Sequence, residues 1–135
     1  MAAQQTTAGA GAFARFFLLT VDWGFATTSG AYMAHYFDPS CDECLQLQSG
    51  LNATATQGWH FVGGRYTIKD VAVTDDSTDH HTATIHAAVS PSKTVDASGA
   101  EQTSAAAIAD VTLRLDLSWE STGWLVDRID SDTGS

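Results

Sequence analysis

Basic residues are scarce in this chain. Six lysines and arginines stand against sixteen aspartates and glutamates, a formal net charge of −10 at pH 7. Such a surface repels phosphate backbones, and no basic stripe interleaved with aromatics offsets it. The composition therefore argues against nucleic acid and anionic membrane surfaces as partners. Long apolar runs are missing as well. The longest strongly apolar one, Phe16 to Val21, falls far short of the roughly 20 residues a membrane span needs. Met1-Ala2-Ala3-Gln4-Gln5 carries neither a basic n-region nor an apolar h-region, so no signal peptide reads there. Cysteine is limited to Cys41 and Cys44, and a zinc site would need two further ligands. What is present is 135 residues with an apolar fraction of 44%. That suits one globular domain burying roughly two thirds of the surface its unfolded chain exposes.

The stretch Phe37-Asp38-Pro39-Ser40-Cys41-Asp42-Glu43-Cys44 orders the rest. Pro39 cannot continue a preceding helix and biases Asp38 away from the helical region. Ser40 and Glu43 have the S-x-x-E spacing of a capping box, which predicts Ser40 as N-cap and Glu43 at the third helical position. Cys41 and Cys44 would then share one face of the first turn, within bridging reach. Three uses compete for the pair. A redox dithiol needs a lowered thiol pKa; a helix N-terminus favours that, while Asp42 and Glu43 oppose it. Zinc lacks ligands. A disulfide is the simplest reading, and it favours an oxidising compartment with a leader already removed over a cytosolic location.

On either side the hydrophobic period differs. Residues 1–11 read as a tether, with the last few open to joining a helix. From Ala12 to about Thr27, Phe13, Phe16, Phe17, Val21 and Phe25 recur at helical steps. Leu18, Leu19 and Trp23 widen that arc, so the helix should be covered on most sides. A short second helix carries Tyr32, Met33, Tyr36 and Phe37, and a third runs from Cys41 to about Gln57. Beyond Gly63-Gly64 the period becomes two. Strands are predicted at Tyr66–Thr74 (with a bulge near Asp70), His80–Ser90, Val111–Trp119 and Trp124–Ile129. The polar turn 75–79, a loose connection over 91–99 and the hairpin loop 120–123 lie between them. Helices first and a meander afterwards is α+β architecture: N-terminal helices on one face of a curved antiparallel sheet. Residues 12–131 form the domain, and 132–135 a frayed tail.

The motifs Ala12-Phe13-Ala14-Arg15-Phe16-Phe17, Trp23-Gly24-Phe25-Ala26-Thr27, Asp38-Pro39-Ser40-Cys41-x-x-Cys44 and Gly63-Gly64-Arg65-Tyr66-Thr67 occur in this order. In that order they resemble a family of actinobacterial cell-envelope lipoproteins. Its domain is similar to the nuclear transport factor 2-like (cystatin-like) cone. The resemblance covers roughly residues 12–130 and implies a secreted or envelope-anchored domain. Any membrane attachment would run through a lipid anchor outside this sequence. The family has no established activity, so the resemblance implies no mechanism.

For chemistry the residues offer little that pairs by spacing. His80 and His86 share one strand face but stand six residues apart, about 20 Å, too far for one metal ion. Acid–base candidates for a cone cavity are Tyr32, Tyr36, His35, His60, Tyr66, Asp22 and Asp127, and none forms a recognisable pair. The expected function is a non-catalytic binding or scaffold domain without cofactor or metal. A lyase, isomerase or cyclase in the cone is the alternative, and a thiol oxidoreductase the third. Its partner would be an envelope protein or a small apolar ligand, with a homodimer through the sheet as an assembly open to it. The inward rows of the strands predict a narrow or closed apolar pocket, with polar groups only at a mouth near Tyr36, His60 and Tyr66.

Overall fold

The computed structural model describes residues 6–75, 80–120 and 123–132. Helix α1 spans Thr7–Thr27, capped by Thr6, whose hydroxyl oxygen accepts from the Gly9 N–H at 2.9 Å. It begins five residues before Ala12, so residues 7–11 are helix and not tether. Small residues explain the extension. Ala10 is fully buried, and Gly11 sits close enough to the sheet that an added methyl would touch Val73 Cγ2 at 3.4 Å. Along the middle, Phe13, Phe17, Leu18 and Val21 are buried, whereas Leu19 and Trp23 are 63% and 57% exposed. The expectation of a helix covered on most sides is corrected there: its outer face has no protein layer over it among the described residues.

The helix ends at Thr28, which takes a left-handed conformation (φ 52°). That conformation is unfavourable for a β-branched residue. Its hydroxyl oxygen accepts from the Phe61 N–H at 3.1 Å and ties the helix end to the first strand. A 3-10 turn follows at Met33–Tyr36, with Met33 fully buried. Phe37 forms a bridge to Val126, and the Asp38 N–H donates to the Val126 carbonyl at 2.8 Å.

Helix α2 spans Asp42–Thr56, and its N-cap is Cys41, not Ser40. Asp38 is the reason. Its carboxylate accepts from the Ser40 N–H at 2.9 Å and its carbonyl from the Cys41 N–H at 2.8 Å, so a turn holds Ser40 outside the helix. Cys41 Sγ then accepts from the Cys44 N–H at 3.2 Å. Glu43 falls at the second helical position, not the third, and reaches across to the Ile129 N–H at 3.5 Å instead of back to a cap. Cys41 and Cys44 are bonded, with Cα atoms 5.2 Å apart and both residues fully buried.

The strands divide into two antiparallel sheets where one was expected. The larger has the order β2-β3-β6-β7, with β2 at Tyr66–Asp75, β3 at His80–Val89, β6 at Ile108–Glu120 and β7 at Gly123–Asp132. A register shift between Ile68 and Asp70 rotates the strand. Ile68, Val71 and Val73 therefore all pack on the core, opposite Ala87, Ile85 and Ala83. Val111, Leu113, Leu115 and Leu117 of β6 are buried in the core that the sheet shares with α1. The smaller sheet has the order β1-β4-β5: His60–Gly63, Ser92–Val95 and Glu101–Ala105. It replaces part of the loose connection expected over 91–99. Its strands β4 and β5 are four or five residues, mostly polar (Ser-Lys-Thr-Val and Glu-Gln-Thr-Ser-Ala), with almost no apolar alternation, so the period-2 signal is missing there. A Thr94–Thr103 hydroxyl contact of 2.6 Å and a turn built on Asp96 hold it instead.

The expected tether residues 1–5, turn residues 76–79, loop residues Ser121 and Thr122, and tail residues 133–135 lie outside the described residues. Asp132, placed in the tail by its sequence, pairs with Thr112 as the last residue of β7.

Candidate functional site

A cavity of about 220 Å³ opens between the helices and the larger sheet. Helix α1 contributes Phe17, Leu18 and Val21, and α2 contributes Leu47 and Glu43. The floor is Leu113 and Leu115 of β6, and the sides are Tyr66 of β2 with Ile129 and Ser131 of β7. The periods of these elements bring the groups together. Three- and four-residue steps on α1 aim Phe17, Leu18 and Val21 at the sheet, and alternation on β6 aims Leu113 and Leu115 back.

Tyr66 is the one residue of the expected mouth that lines this cavity. Burial raises its hydroxyl above the usual range, and the neighbouring Asp22 charge adds to the effect. Asp22 Oδ1 accepts from the Tyr66 N–H at 3.2 Å. Burial pushes the Asp22 carboxyl up, while that hydrogen bond and the Arg65 charge pull it down. Asp22 itself does not line the cavity. It fixes the strand start that places Tyr66.

Tyr36 and His60 are elsewhere, which corrects the expected mouth. Tyr36 stacks edge-on against Phe16 at 4.9 Å and against Tyr32 at 5.7 Å; a hydrogen bond with Tyr32 raises its hydroxyl. His60 is exposed on β1, opposite Val95. The reason lies in α1, along which all three are strung: Tyr36 beside Phe16, Tyr66 beside Asp22, and the His60 strand at Thr28. Phe16 to Thr28 is about 18 Å of helix axis.

Among the other acid–base candidates, His35 and Tyr32 are exposed. Asp127 accepts from Ser118 Oγ at 3.0 Å on the sheet face opposite Leu115 and Leu117. Burial raises its carboxyl, and the Ser118 bond partly offsets this. His86 Nδ1 lies 2.6 Å from Asp70 Oδ1 on the outer face of the same sheet. Among the described residues no three His, Cys, Asp or Glu side chains gather as a metal site. Sequence reasoning missed Glu43 and Ser131 as cavity residues. The capping-box spelling absorbed the first, and the second lies beyond Ile129, where the expected last strand stops.

A larger hollow of about 320 Å³ lies on the small sheet at Val62, Pro91, Lys93 and Glu101. Its walls are mostly exposed strand residues, so the deeper-set cavity under α1, lined by buried core side chains, is the better site for a guest.

Over residues 1–130 the chain matches DUF6318, described as a family of unknown function. The chain belongs to this family. Among curated proteins, none matches the sequence. Solved structures similar to this family member share its fold at low identity. The intermembrane space region of the chloroplast protein ARC6 matches with a TM-score of 0.60 and 12% identity, covering 94% of this chain and 95% of that one. ActVI-ORFA from Streptomyces coelicolor matches at 0.58 and 14%, covering 92% and 96%. Aln2 from another Streptomyces matches at 0.57 and 12%, covering 88% and 86%. The fold is the nuclear transport factor 2-like cone, helices packed on curved antiparallel sheets.

Proposed function

We propose that this chain is a non-catalytic binding domain of the cell envelope, lipoprotein-derived and extracytoplasmic, whose cone takes a small apolar guest. The cavity carries the reading. Seven of its ten lining side chains (Phe17, Leu18, Val21, Leu47, Leu113, Leu115 and Ile129) have no polar atom. Ligand pockets of drug-sized molecules run from about 300 to 1,000 Å³, so about 220 Å³ suits a guest of one or two rings. The buried Cys41–Cys44 bond supports an oxidising location. No helix among the described residues is long and apolar enough to cross a membrane, so attachment would fall to a lipid anchor.

The alternative, a lyase, isomerase or cyclase, needs an acid–base group touching the guest. Asp22 is engaged with the Tyr66 backbone, and the one carboxylate in the described lining is Glu43. The thiol-oxidoreductase reading needs an accessible sulfur, and both cysteines are fully buried.

Titration with 2-methylnaphthalene, followed by calorimetry, tests the binding reading. Saturable binding is expected, and Leu47→Trp, which fills the cavity from the half-buried α2 side, should abolish it. Binding that survives this change would place the guest elsewhere. Turnover of a hydroxynaphthalene-type substrate that Tyr66→Phe removes would put the enzyme reading first.

A further inference from the structure

We infer that the cavity selects a guest bearing a protonated amine, and that the Glu43 carboxylate is the group that reads it. The inference rests on the binding reading above and adds its ligand class. Among the described lining residues Glu43 is the single charged side chain, and none is Lys, Arg or His. The carboxylate stands at the rim. It comes from the exposed second position of α2 and accepts from the N–H of Ile129 of β7 at 3.5 Å, beside the lining residues Leu47 and Ile129. Capping duty does not consume it. Cys41 Sγ serves the Cys44 N–H, and Asp42 supplies a negative charge to the helix N-terminus one residue earlier.

The backbone that carries the carboxylate is held in place. The Cys41–Cys44 bond closes the first turn around residue 43, and both cysteines are packed in the core, so the rim cannot slide away from β7 without unpacking them. A guest with an apolar body in the cavity therefore meets one charged acceptor among the described lining residues as it emerges. An ammonium there forms a charge-assisted hydrogen bond; a carboxylate meets a like charge. The net charge of −10 acts in the same direction, attracting cations to the surface and repelling anions.

Three probes with the same two-ring body test this by calorimetry at pH 7 in low salt: naphthalen-2-ylmethylamine, 2-ethylnaphthalene and 2-naphthoate. The amine is expected to bind about tenfold more tightly than the neutral probe, with the carboxylate weakest. Raising the salt should shrink the amine preference and leave the neutral probe unmoved. Glu43→Gln should bring amine and neutral probe within about twofold. Asp42→Asn, which changes the neighbouring acid outside the lining, should leave the preference intact, separating a local contact from the general field. Equal binding of amine and neutral probe, or a preference that survives Glu43→Gln, overturns the amine inference while leaving an apolar binding site. Failure of all three probes to bind overturns the binding reading together with it.

Discussion

At Gly63 the backbone turns through φ +79°, and an added methyl would lie 2.1 Å from the Pro91 carbonyl oxygen. Gly50, in the middle of α2, has nothing within 4 Å of the same atom. The two glycines should respond oppositely to alanine. Gly50→Ala removes backbone freedom from the unfolded chain and should raise stability by about 0.5–1 kcal/mol. Gly63→Ala combines a disfavoured φ with a backbone collision and should cost more than about 2 kcal/mol. Urea unfolding of both variants checks the pair; a tolerated Gly63→Ala would mean that β1 and β4 are not joined as described. Asp22 gives a pH prediction. Its folded pKa is raised above the ordinary 3.8 by burial, so the folded state holds a proton that the unfolded state has released. The contribution is fully present below 3.8 and is lost as pH rises through the folded value. Asp22→Asn keeps an oxygen for the Tyr66 N–H, so it should remove this loss and be at least as stable as the parent at pH 7. Unfolding curves at pH 3.5 and 7 for both proteins decide it, and a variant less stable at pH 7 would show that the ionised carboxylate is favoured.

The start of α2 shows what an element takes from its neighbours. Spelling alone favours Ser40 as cap, because S-x-x-E satisfies two backbone donors locally. The structure chooses Cys41, since Asp38 has already tied up Ser40 through its own carboxylate. That choice depends on Phe37 and Asp38 pairing with Val126, nearly ninety residues on, which no local pattern contains. The helices and the β2, β3 and β6 strands were legible because their apolar residues repeat at steps of 3.6 or 2. The small sheet was not, because Thr94, Thr103 and Asp96 hold it through polar contacts without apolar rows. For the site, the floor of Leu113 and Leu115 was legible from alternation. The mouth was not, since it depends on where along α1 each strand docks. The Cys41–Cys44 ring itself should contribute modestly. On the loop-entropy account a four-residue ring contributes about 2 kcal/mol, so the double Cys→Ser variant should fold with a loss of that order. Alkylation of the native, unreduced protein should find no free thiol, and two freely alkylated cysteines would remove the bridge from the account.

As a whole the molecule carries far more negative charge than it neutralises. Sixteen acidic residues face six basic ones. Among the described residues Lys69 pairs with Asp110 and Arg128 with Asp130, and His86 lies against Asp70; all of these contacts are exposed. Exposed pairs of this kind contribute about 0–1 kcal/mol each. The folded cone compresses the remaining carboxylates onto a small surface, while the unfolded chain spreads them apart, so self-repulsion weighs against folding. Screening should relieve it, because the Debye length falls from about 30 Å at 0.01 M salt to about 3 Å at 1 M. The melting temperature is therefore expected to rise between 0.01 M and 0.5 M sodium chloride. Most of the gain should come by about 0.1 M, where the screening length reaches about 10 Å. A charge-reversed surface variant separates this from a specific salt effect. Glu101→Lys and Glu120→Lys together lower the net negative charge at two exposed strand positions, and they should flatten the salt dependence. A melting temperature that falls with salt would mean that the few ion pairs outweigh the repulsion, and with it the charge-based attraction of cationic guests would lose its support.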